Sequence, residues 1–346
     1  MTLFLANPNS FHLATWAQIY GELNMSDLDL ATIHGFANTT LEFDSITSVT
    51  ARPKSLAYVL IGLRLRIAKV AWIHAHGASG YGLAARISGK PYVVTVYGSE
   101  VLARHGLLYR RMMRAILRGA RAITVTSDVT RDVIARDFAV PKGRIHSFHT
   151  GIDTNALDVL EKGVRIEIPG DRKLVFSIRN SSPTYRTQEI IEACTKLVER
   201  GYAIDLIVPL GNGDPAYFQA LQNRYPQPWI RFIGQRLENR EMLAWMQQAD
   251  VCISYPVTDQ VSTSILEALY VGRMVVVGWL DAYTKLLDEV GEDRNLIFAR
   301  DDGLLQAIET ALSGQDRQPS APIVRAKYSV SKAALHQAKV LELFND

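Results

Sequence analysis

Apolar and polar positions follow two alternating rhythms along this chain. Short apolar runs rich in Val and Ile are separated by longer stretches where apolar residues recur every three or four positions. In the first half the runs predict strands at Thr2–Ala6, Ala71–His76, Tyr92–Val96, Ala122–Thr126 and Ile145–His149. In the second half they predict strands at Lys173–Ile178, Ile204–Pro209, Ile230–Ile233, Val251–Tyr255, Met274–Val277 and Asn295–Phe298. The periodic stretches predict helices at about 12–24, 54–69, 80–88, 101–119 and 127–138, then at about 186–200, 214–224, 238–248, 262–271, 282–289 and 302–313. Such alternation implies parallel sheets with helices on both faces. The polar stretch Asp153–Asp171, with Gly163, Pro169 and Gly170, is the expected linker between two Rossmann-like domains, residues 1–152 and 172–330. A last helix is predicted at Ser331–Phe344, where Ala333, Leu335, Ala338, Leu341 and Phe344 fall at helical spacing.

Length agrees with two domains, since 346 residues exceed what one core usually holds. Apolar content of 48% and charged content of 21% are those of an ordinary globular protein. Cys194 and Cys252 both lie in apolar runs, which points to buried free thiols in a reducing compartment. The first residues lack the basic region of a signal peptide, and no apolar run approaches ~18 residues. A cytoplasmic location is the expectation. Charge changes the picture more. Residues 1–150 hold 17 Lys/Arg against 9 Asp/Glu, while residues 151–346 hold 21 against 26. A basic first half implies an anionic partner there, such as a lipid surface, a lipid-linked phosphate or a nucleic acid.

The chemistry concentrates in the segment from Asp259 to Gly272. An acid, the hydroxyl run Ser262, Thr263 and Ser264, and a helix bearing Glu267 follow the apolar run Val251–Tyr255. The carboxyl end of a buried strand is where open α/β sheets bind ligands. Small residues there leave backbone N–H groups free for a phosphate, and Glu267 one turn in can accept from a ribose diol. A plain strand–loop–helix with a capping Ser reads the same residues equally well. Upstream, the run Leu174–Ile178 ends in Arg179, then Pro183 and Arg186. Guanidinium groups grip a diphosphate in a bidentate way, although two exposed loop arginines are the simpler reading. His74 and His76 share one strand face, but a zinc pair needs a further ligand that is not evident.

Together these motifs resemble those of retaining glycosyltransferases of family 4, which have the GT-B fold: two Rossmann-like domains with parallel sheets facing across a cleft. The family carries an acid, seven residues, a Glu and then Ala-x-x-x-Gly. Asp259, Glu267, Ala268 and Gly272 match this, with Asp in place of the usual Glu. Arg179 matches the family's diphosphate-binding Arg, and Arg186 stands two residues beyond its usual Lys. His149-Thr-Gly151-Ile-Asp153 is similar to the family's hinge, or is an ordinary turn. Val93-Val-Thr-Val-Tyr97-Gly98 is similar to a segment in which the family has a sugar-contacting His; here it is Tyr97. The loop Asn7–His12 lies where the family often has a Gly-Gly loop, and those glycines are absent.

The resemblance implies a metal-independent, retaining transfer of a sugar from a nucleotide diphosphate, a UDP-sugar first and a GDP-sugar second, with no cofactor. It implies catalytic roles for Asp259, Arg179, Arg186 and Tyr97. Donor binding falls to Glu267, to Val261, Ser262, Thr263, Ser264 and Ile265, and to base contacts at Gly234, Gln235 and Arg236. On the acceptor side stand Ser10, His12, His76 and Glu100. The acceptor is a glycan or lipid-linked saccharide, and the last helix, 331–346, crosses back onto the first domain. The predicted helix over residues 101–119 carries Arg104, Arg110, Arg111, Arg114 and Arg118 with no acid from 101 to 127, which suits an anionic membrane at the inner face or a solvated outer helix face. A GT-B nucleotide-sugar epimerase and an inactive scaffold are the alternatives. A nucleic-acid binder has no recognition motif to support it. No Walker loop, zinc-protease motif or nucleophile elbow is present, and Gly211-Asn-Gly213 lacks the third glycine of a dinucleotide fingerprint.

Overall fold

The computed structural model describes residues 2–25, 27–35, 41–103, 106–160, 172–291, 294–314 and 318–344. The chain divides into two compact units, one running to Gly151 and taking in Val330 onward, the other spanning Ile152–Ser329. In the first unit the elements are β1 (Thr2–Leu5), α1 (Phe11–Glu22), β2 (Leu28–Thr32), β3 (Ser45–Ser48), α2 (Lys54–Arg66), β4 (Trp72–His76), α3 (Gly80–Ser88), β5 (Tyr92–Val96), α4 (Ser99–Leu102), α5 (Leu107–Gly119), β6 (Ala122–Val125), α6 (Asp128–Phe138) and β7 (Ile145–Ser147). In the second they are α7 (Thr154–Leu160), β8 (Lys173–Ser177), α8 (Thr187–Glu199), β9 (Ile204–Pro209), α9 (Pro215–Arg224), β10 (Ile230–Ile233), α10 (Asn239–Gln248), β11 (Val251–Ser254), α11 (Thr263–Tyr270), β12 (Met274–Gly278), α12 (Thr284–Val290), β13 (Leu296–Ala299), α13 (Leu304–Leu312) and α14 (Ala321–Tyr328). Helix α15 (Val330–Glu342) returns to the first unit.

All the strand pairs are parallel. The first sheet has the order β3-β2-β1-β4-β5-β6-β7 and the second β10-β9-β8-β11-β12-β13. Each is a doubly wound, Rossmann-like sheet, and in each the winding reverses at one place: between β1 and β4, and between β8 and β11. Crevices at the carboxyl ends of strands form at such reversals. Val- and Ile-rich strands buried on both faces, such as Val93, Val94, Val275 and Val276, show why the runs read as continuous rather than alternating. One face of the first sheet is covered by α2, α3 and α5, the other by α1 and α15 around Phe4, Trp16, Ile19, Ala333 and Val340. Gln337 on α15 donates to the Tyr20 hydroxyl at 2.9 Å.

Three expectations need correction. The predicted helix over 101–119 is two helices, because Ala103 and Gly106 both adopt extended backbone; Arg104 lies outside the described residues. The expected linker begins with helix α7, which Asp153 caps by accepting from the Ala156 N–H at 2.9 Å and which buries Leu157. Its remainder, 161–171, lies outside the described residues. Strands β2 and β3 and helix α14 carry no clear periodic signal. In β2, Asp29 interrupts the apolar run yet is buried, where it accepts from the Ser45 hydroxyl of exposed β3.

Candidate active site

At the reversal in the second sheet, Arg179 follows β8 and Asp259 follows β11. The two side chains, 13% and 18% exposed, form an ion pair with Nη2 2.8 Å from Oδ2. Arg179 also donates from Nη2 to the Tyr185 hydroxyl at 2.8 Å, lies over that ring at 4.4 Å, and reaches Ser264 Oγ from Nη1 at 3.4 Å. Burial, the largest single effect, works against its charge, but Asp259 together with Tyr185 and Tyr283 raises its pKa overall. Burial raises the Asp259 pKa, with Arg179 opposing. Asp259 accepts from the Gln260 N–H at 2.9 Å through Oδ1, while Oδ2, despite the short ion-pair distance, receives no aligned hydrogen bond. That oxygen is buried and faces the Arg179 guanidinium.

Helix α11 begins beside this pair. Ser262 is its N-cap and accepts from the Ile265 N–H through Oγ at 3.4 Å. Ser262 Oγ lies 3.1 Å from Ser264 Oγ, which ties the hydroxyl run to Arg179. The N–H groups of Thr263 and Ser264, at the first two helical positions, lack helical acceptors and face the carboxyl edge of the sheet. Glu267 is one turn further along. It is 8% exposed, and burial pushes its pKa up to about 7. Val261 precedes the cap, and Ile265 is fully buried. Gly234, Gln235 and Arg236 form the exposed loop after β10, two strands from β8.

Arg186 does not join Arg179. It has left-handed backbone at the start of α8, φ 46°, and its guanidinium lies 4.9 Å over the Tyr255 ring. There it lines a cavity of about 860 Å³ with Glu189, Tyr255, Trp279 and Asp301. The reason is local: Ser182 and Thr187 close the preceding turn on each other, so the chain presents Tyr185, not Arg186, to Arg179. Sequence reasoning missed Tyr185. It also missed Tyr283, fully buried, whose hydroxyl has no hydrogen-bond partner and whose pKa is raised by burial and by nearby Asp259. Its place next to Arg186 could have pointed to Tyr185; no sequence signal marks Tyr283.

The first sheet's reversal is built differently. His76 ends β4, and its Nδ1 is 3.4 Å from the Tyr97 hydroxyl just past β5. Tyr97 stacks on His12 at 4.4 Å and 24°. His76 is buried against Phe4 and His74, its Nε2 has no partner, and burial holds its pKa well below the usual imidazole range. Burial brings His74 down to about 3. Its Nδ1 meets the Tyr20 hydroxyl at 3.0 Å, and its Nε2 meets Thr95 Oγ1 at 2.8 Å, which in turn contacts Thr124 at 2.7 Å. Among the described residues no group of His, Cys, Asp and Glu could hold a metal ion. Glu100 braces the backbone around this site, since its carboxylate accepts from the Ser79 N–H at 2.8 Å and the Tyr97 N–H at 3.4 Å. Ser10 is the N-cap position of α1, without a side-chain cap bond. Gly151 turns the chain at φ 82°, and its N–H donates to His149. Arg110, Arg111, Arg114 and Arg118 are exposed on α5.

Two doubly wound parallel units, each with polar groups at its reversal, define the GT-B architecture. A Glycosyltransferase Family 4 model matches residues 43–156, and a Glycosyl transferases group 1 model matches residues 171–314. The chain is a glycosyltransferase of the GT-B type. Its structure is similar to that of HepE from Anabaena, crystallised with UDP and glucose (TM-score 0.79, 14% identity, 99% of both chains). It is also similar to a glycosyltransferase from Rickettsia africae (TM-score 0.77, 12% identity, 100% and 99%). A third likeness is to a UDP-forming trehalose-phosphate synthase from Burkholderia xenovorans (TM-score 0.74, 12% identity, 100% and 98%). At these identities the structures show the fold alone. No curated protein matches the sequence.

Proposed function

We propose that the enzyme transfers a sugar, with retention and without a metal, from a nucleoside-diphosphate donor held at the α11 edge of the second unit. The observation that carries this is the Arg179–Asp259 pair set beside free helix N–H groups. A departing diphosphate needs fixed positive charge, and a largely buried guanidinium together with the N–H groups of Thr263 and Ser264 supplies it at no reorganisation cost. Asp259 accepts from a donor sugar hydroxyl. Glu267, ionised once a ribose diol donates to it, fixes the nucleoside. Arg186 is not required for the clamp.

The proposed acceptor is a glycan or a lipid-linked saccharide handled by the first unit, where the stacked His12 and Tyr97 rings offer a flat face to a sugar. Similarity to HepE, crystallised with UDP-glucose, supports UDP as the nucleotide. An anionic membrane on the cytoplasmic side is the proposed place of work. The test is thermal denaturation with UDP, GDP, ADP, TDP and CMP, for wild type and Glu267→Ala. A ligand at 100-fold over its Kd stabilises by about 2.7 kcal/mol, a shift of a few degrees. UDP is expected to shift wild type and not the variant. No shift with any nucleotide defeats the donor proposal and favours a non-catalytic scaffold.

A further inference from the structure

The cavity lined by Arg186 lies on the other side of the second sheet from helix α11. Its residues Tyr255, Ala299 and Leu304 belong to the core layer under α8, α9 and α13, whereas Ile265 of α11 and Tyr283 belong to the layer on the opposite face. Tyr255 follows β11, Trp279 follows β12 and Asp301 stands just past β13, so the carboxyl ends of three adjacent strands meet there. Its volume of about 860 Å³ is that of a small-molecule site. The aromatic rings are fixed. A Cβ on Gly278 would meet the Tyr255 ring at 2.7 Å, and the Tyr255 hydroxyl donates to the Asp301 carbonyl at 3.1 Å. Trp279, half-buried, meets the Phe298 ring edge-on at 5.3 Å and carries the Arg300 guanidinium 4.2 Å over its own ring. Rings held in this way set the guanidinium groups stacked on them.

Among the described residues four non-glycine positions have left-handed backbone, and two of them line this cavity: Arg186 at φ 46° and Asp301 at φ 49°. Such backbone is unfavourable for a residue with a side chain, and it clusters where a side chain must be aimed at a ligand. Among the described residues the Arg186 guanidinium and the Glu189, Asp301 and Asp302 carboxylates make no hydrogen bond or ion pair. Glu192, by contrast, is taken up by Gln188 and Tyr225, each at 2.8 Å. The cavity therefore presents open donors and open acceptors around fixed aromatic rings. An anion there would face three open carboxylates. A cation would face Arg186 and Lys196. A neutral polyhydroxyl ligand suits both, because each hydroxyl donates to a carboxylate and accepts from a guanidinium. The C–H face of a sugar ring packs on an aromatic side chain such as Trp279.

We infer that this cavity is a second ligand site, separate from the donor site, and that it holds a neutral saccharide, either a free sugar or a segment of a glycan chain. The two sites stand back to back. Tyr185 turns to Arg179 while its neighbour Arg186 turns to the cavity. The Thr184 carbonyl accepts from the Val257 N–H at 2.8 Å, which ties this loop to the one bearing Asp259. The sites thus share two loops but no side chain. Neither Arg179 nor Glu267 takes part in the cavity, so the inference stands or falls apart from the nucleotide reading.

The test is saturation-transfer NMR titration of the full chain with D-glucose, D-galactose, D-mannose and N-acetyl-D-glucosamine, and with the chains cellohexaose and chitohexaose. D-glucuronate and D-glucosamine serve as charged comparisons. At least one neutral sugar is expected to bind, and UDP is expected not to displace it. Tighter binding of a chain than of its monomer assigns a glycan segment, and equal binding assigns a free sugar. Arg186→Ala and Asp301→Asn are each expected to lower the affinity at least about tenfold, as loss of a charged hydrogen-bond partner does; Asn accepts the left-handed backbone at 301. Glu267→Ala is expected to leave saccharide binding unchanged. An unaltered far-UV circular dichroism spectrum and melting temperature keep the variants interpretable. The inference is overturned if no neutral sugar binds, or if both cavity variants bind undiminished. It is equally overturned if UDP displaces the sugar, which then occupies the donor site, or if a charged comparison binds tenfold tighter than every neutral sugar.

Discussion

The two units place their chemistry at the same topological point, yet with opposite electrostatics. In the second unit the reversal holds a largely buried ion pair, Arg179–Asp259, with an extra aromatic, Tyr185, under the guanidinium. In the first it holds neutral imidazoles and phenols, with His74 and His76 kept uncharged by burial and Tyr97 held in its protonated form. A charged pair prepared in low dielectric suits an anionic ligand, since its field is little screened there. A neutral network with open aromatic faces suits a hydroxyl-rich ligand, which brings no charge to be paired. One fold used twice therefore acquires two ligand classes through a few side chains at the strand ends.

The strongest way to break this contrast is to discharge the second site. Arg179→Ala should lower turnover by about 10²–10³-fold, as loss of a single charge-stabilising donor does elsewhere, and should abolish the UDP-induced thermal shift. Activity retained within tenfold would mean that another group carries the leaving diphosphate.

Next in size is pH. His74 has its pKa lowered from 6.5 to about 3 by burial, so its uncharged form is stabilised in the fold. That stability is complete above pH 6.5 and is lost on acidification toward 3, with a total on the order of 4–5 kcal/mol. Glu267 behaves in the opposite sense. Its pKa is raised from 4.5 to about 7, so the contribution is present below pH 4.5 and lost as pH rises through 7, on the order of 3 kcal/mol. Scanning calorimetry from pH 7 to pH 5 should therefore show the first unit weakening and the second strengthening. Glu267→Gln should remove the second trend and leave the first, at the expense of nucleotide affinity. Transitions that move together in wild type would contradict the assignment of these two groups.

The smallest effect sharpens the contrast. Tyr97→Phe keeps the His12 stack and removes the hydroxyl near His76. Turnover should fall about tenfold through weaker acceptor positioning, with nucleotide affinity unchanged. A loss of nucleotide binding in steady-state kinetics would show that Tyr97 serves the donor.

Much of the architecture was legible because parallel strands buried on both faces are written as uninterrupted Val- and Ile-rich runs. Strands β4, β5, β9 and β11 fall within a residue of their predicted ends. Where the signal was not local, it failed. Strand β3 is an exposed edge whose only apolar residue is Ile46, and β2 buries Asp29, one of whose carboxylate oxygens accepts from the Ser45 hydroxyl. The spacing of Asp259 and Glu267 and the hydroxyl run at α11 could be read directly, since helical periodicity places the hydroxyls and Glu267 within about a turn of each other. The partnership of Arg179 with Tyr185, and the stacking of Arg186 on Tyr255 instead, could not. A single left-handed residue and the Ser182 turn decided which side chain faces which way.

The sequence by itself determined what depends on neighbours along the chain: the alternation of strands and helices, the division into a basic and an acidic half, and the motif positions at strand ends. Only the tertiary structure decided what depends on burial. It drew α15 onto the first unit's core, paired Arg179 with Asp259 across strands, raised the Glu267 and Asp259 carboxyls and depressed the His74 and His76 imidazoles. It also left Leu56, Leu60 and Leu63 of α2 outside. Periodicity tells which residues share a face of a helix, but a helix that is apolar nearly all round has two candidate faces. Close packing at Gly62 against α3 selects the inner one, and the other is left outside.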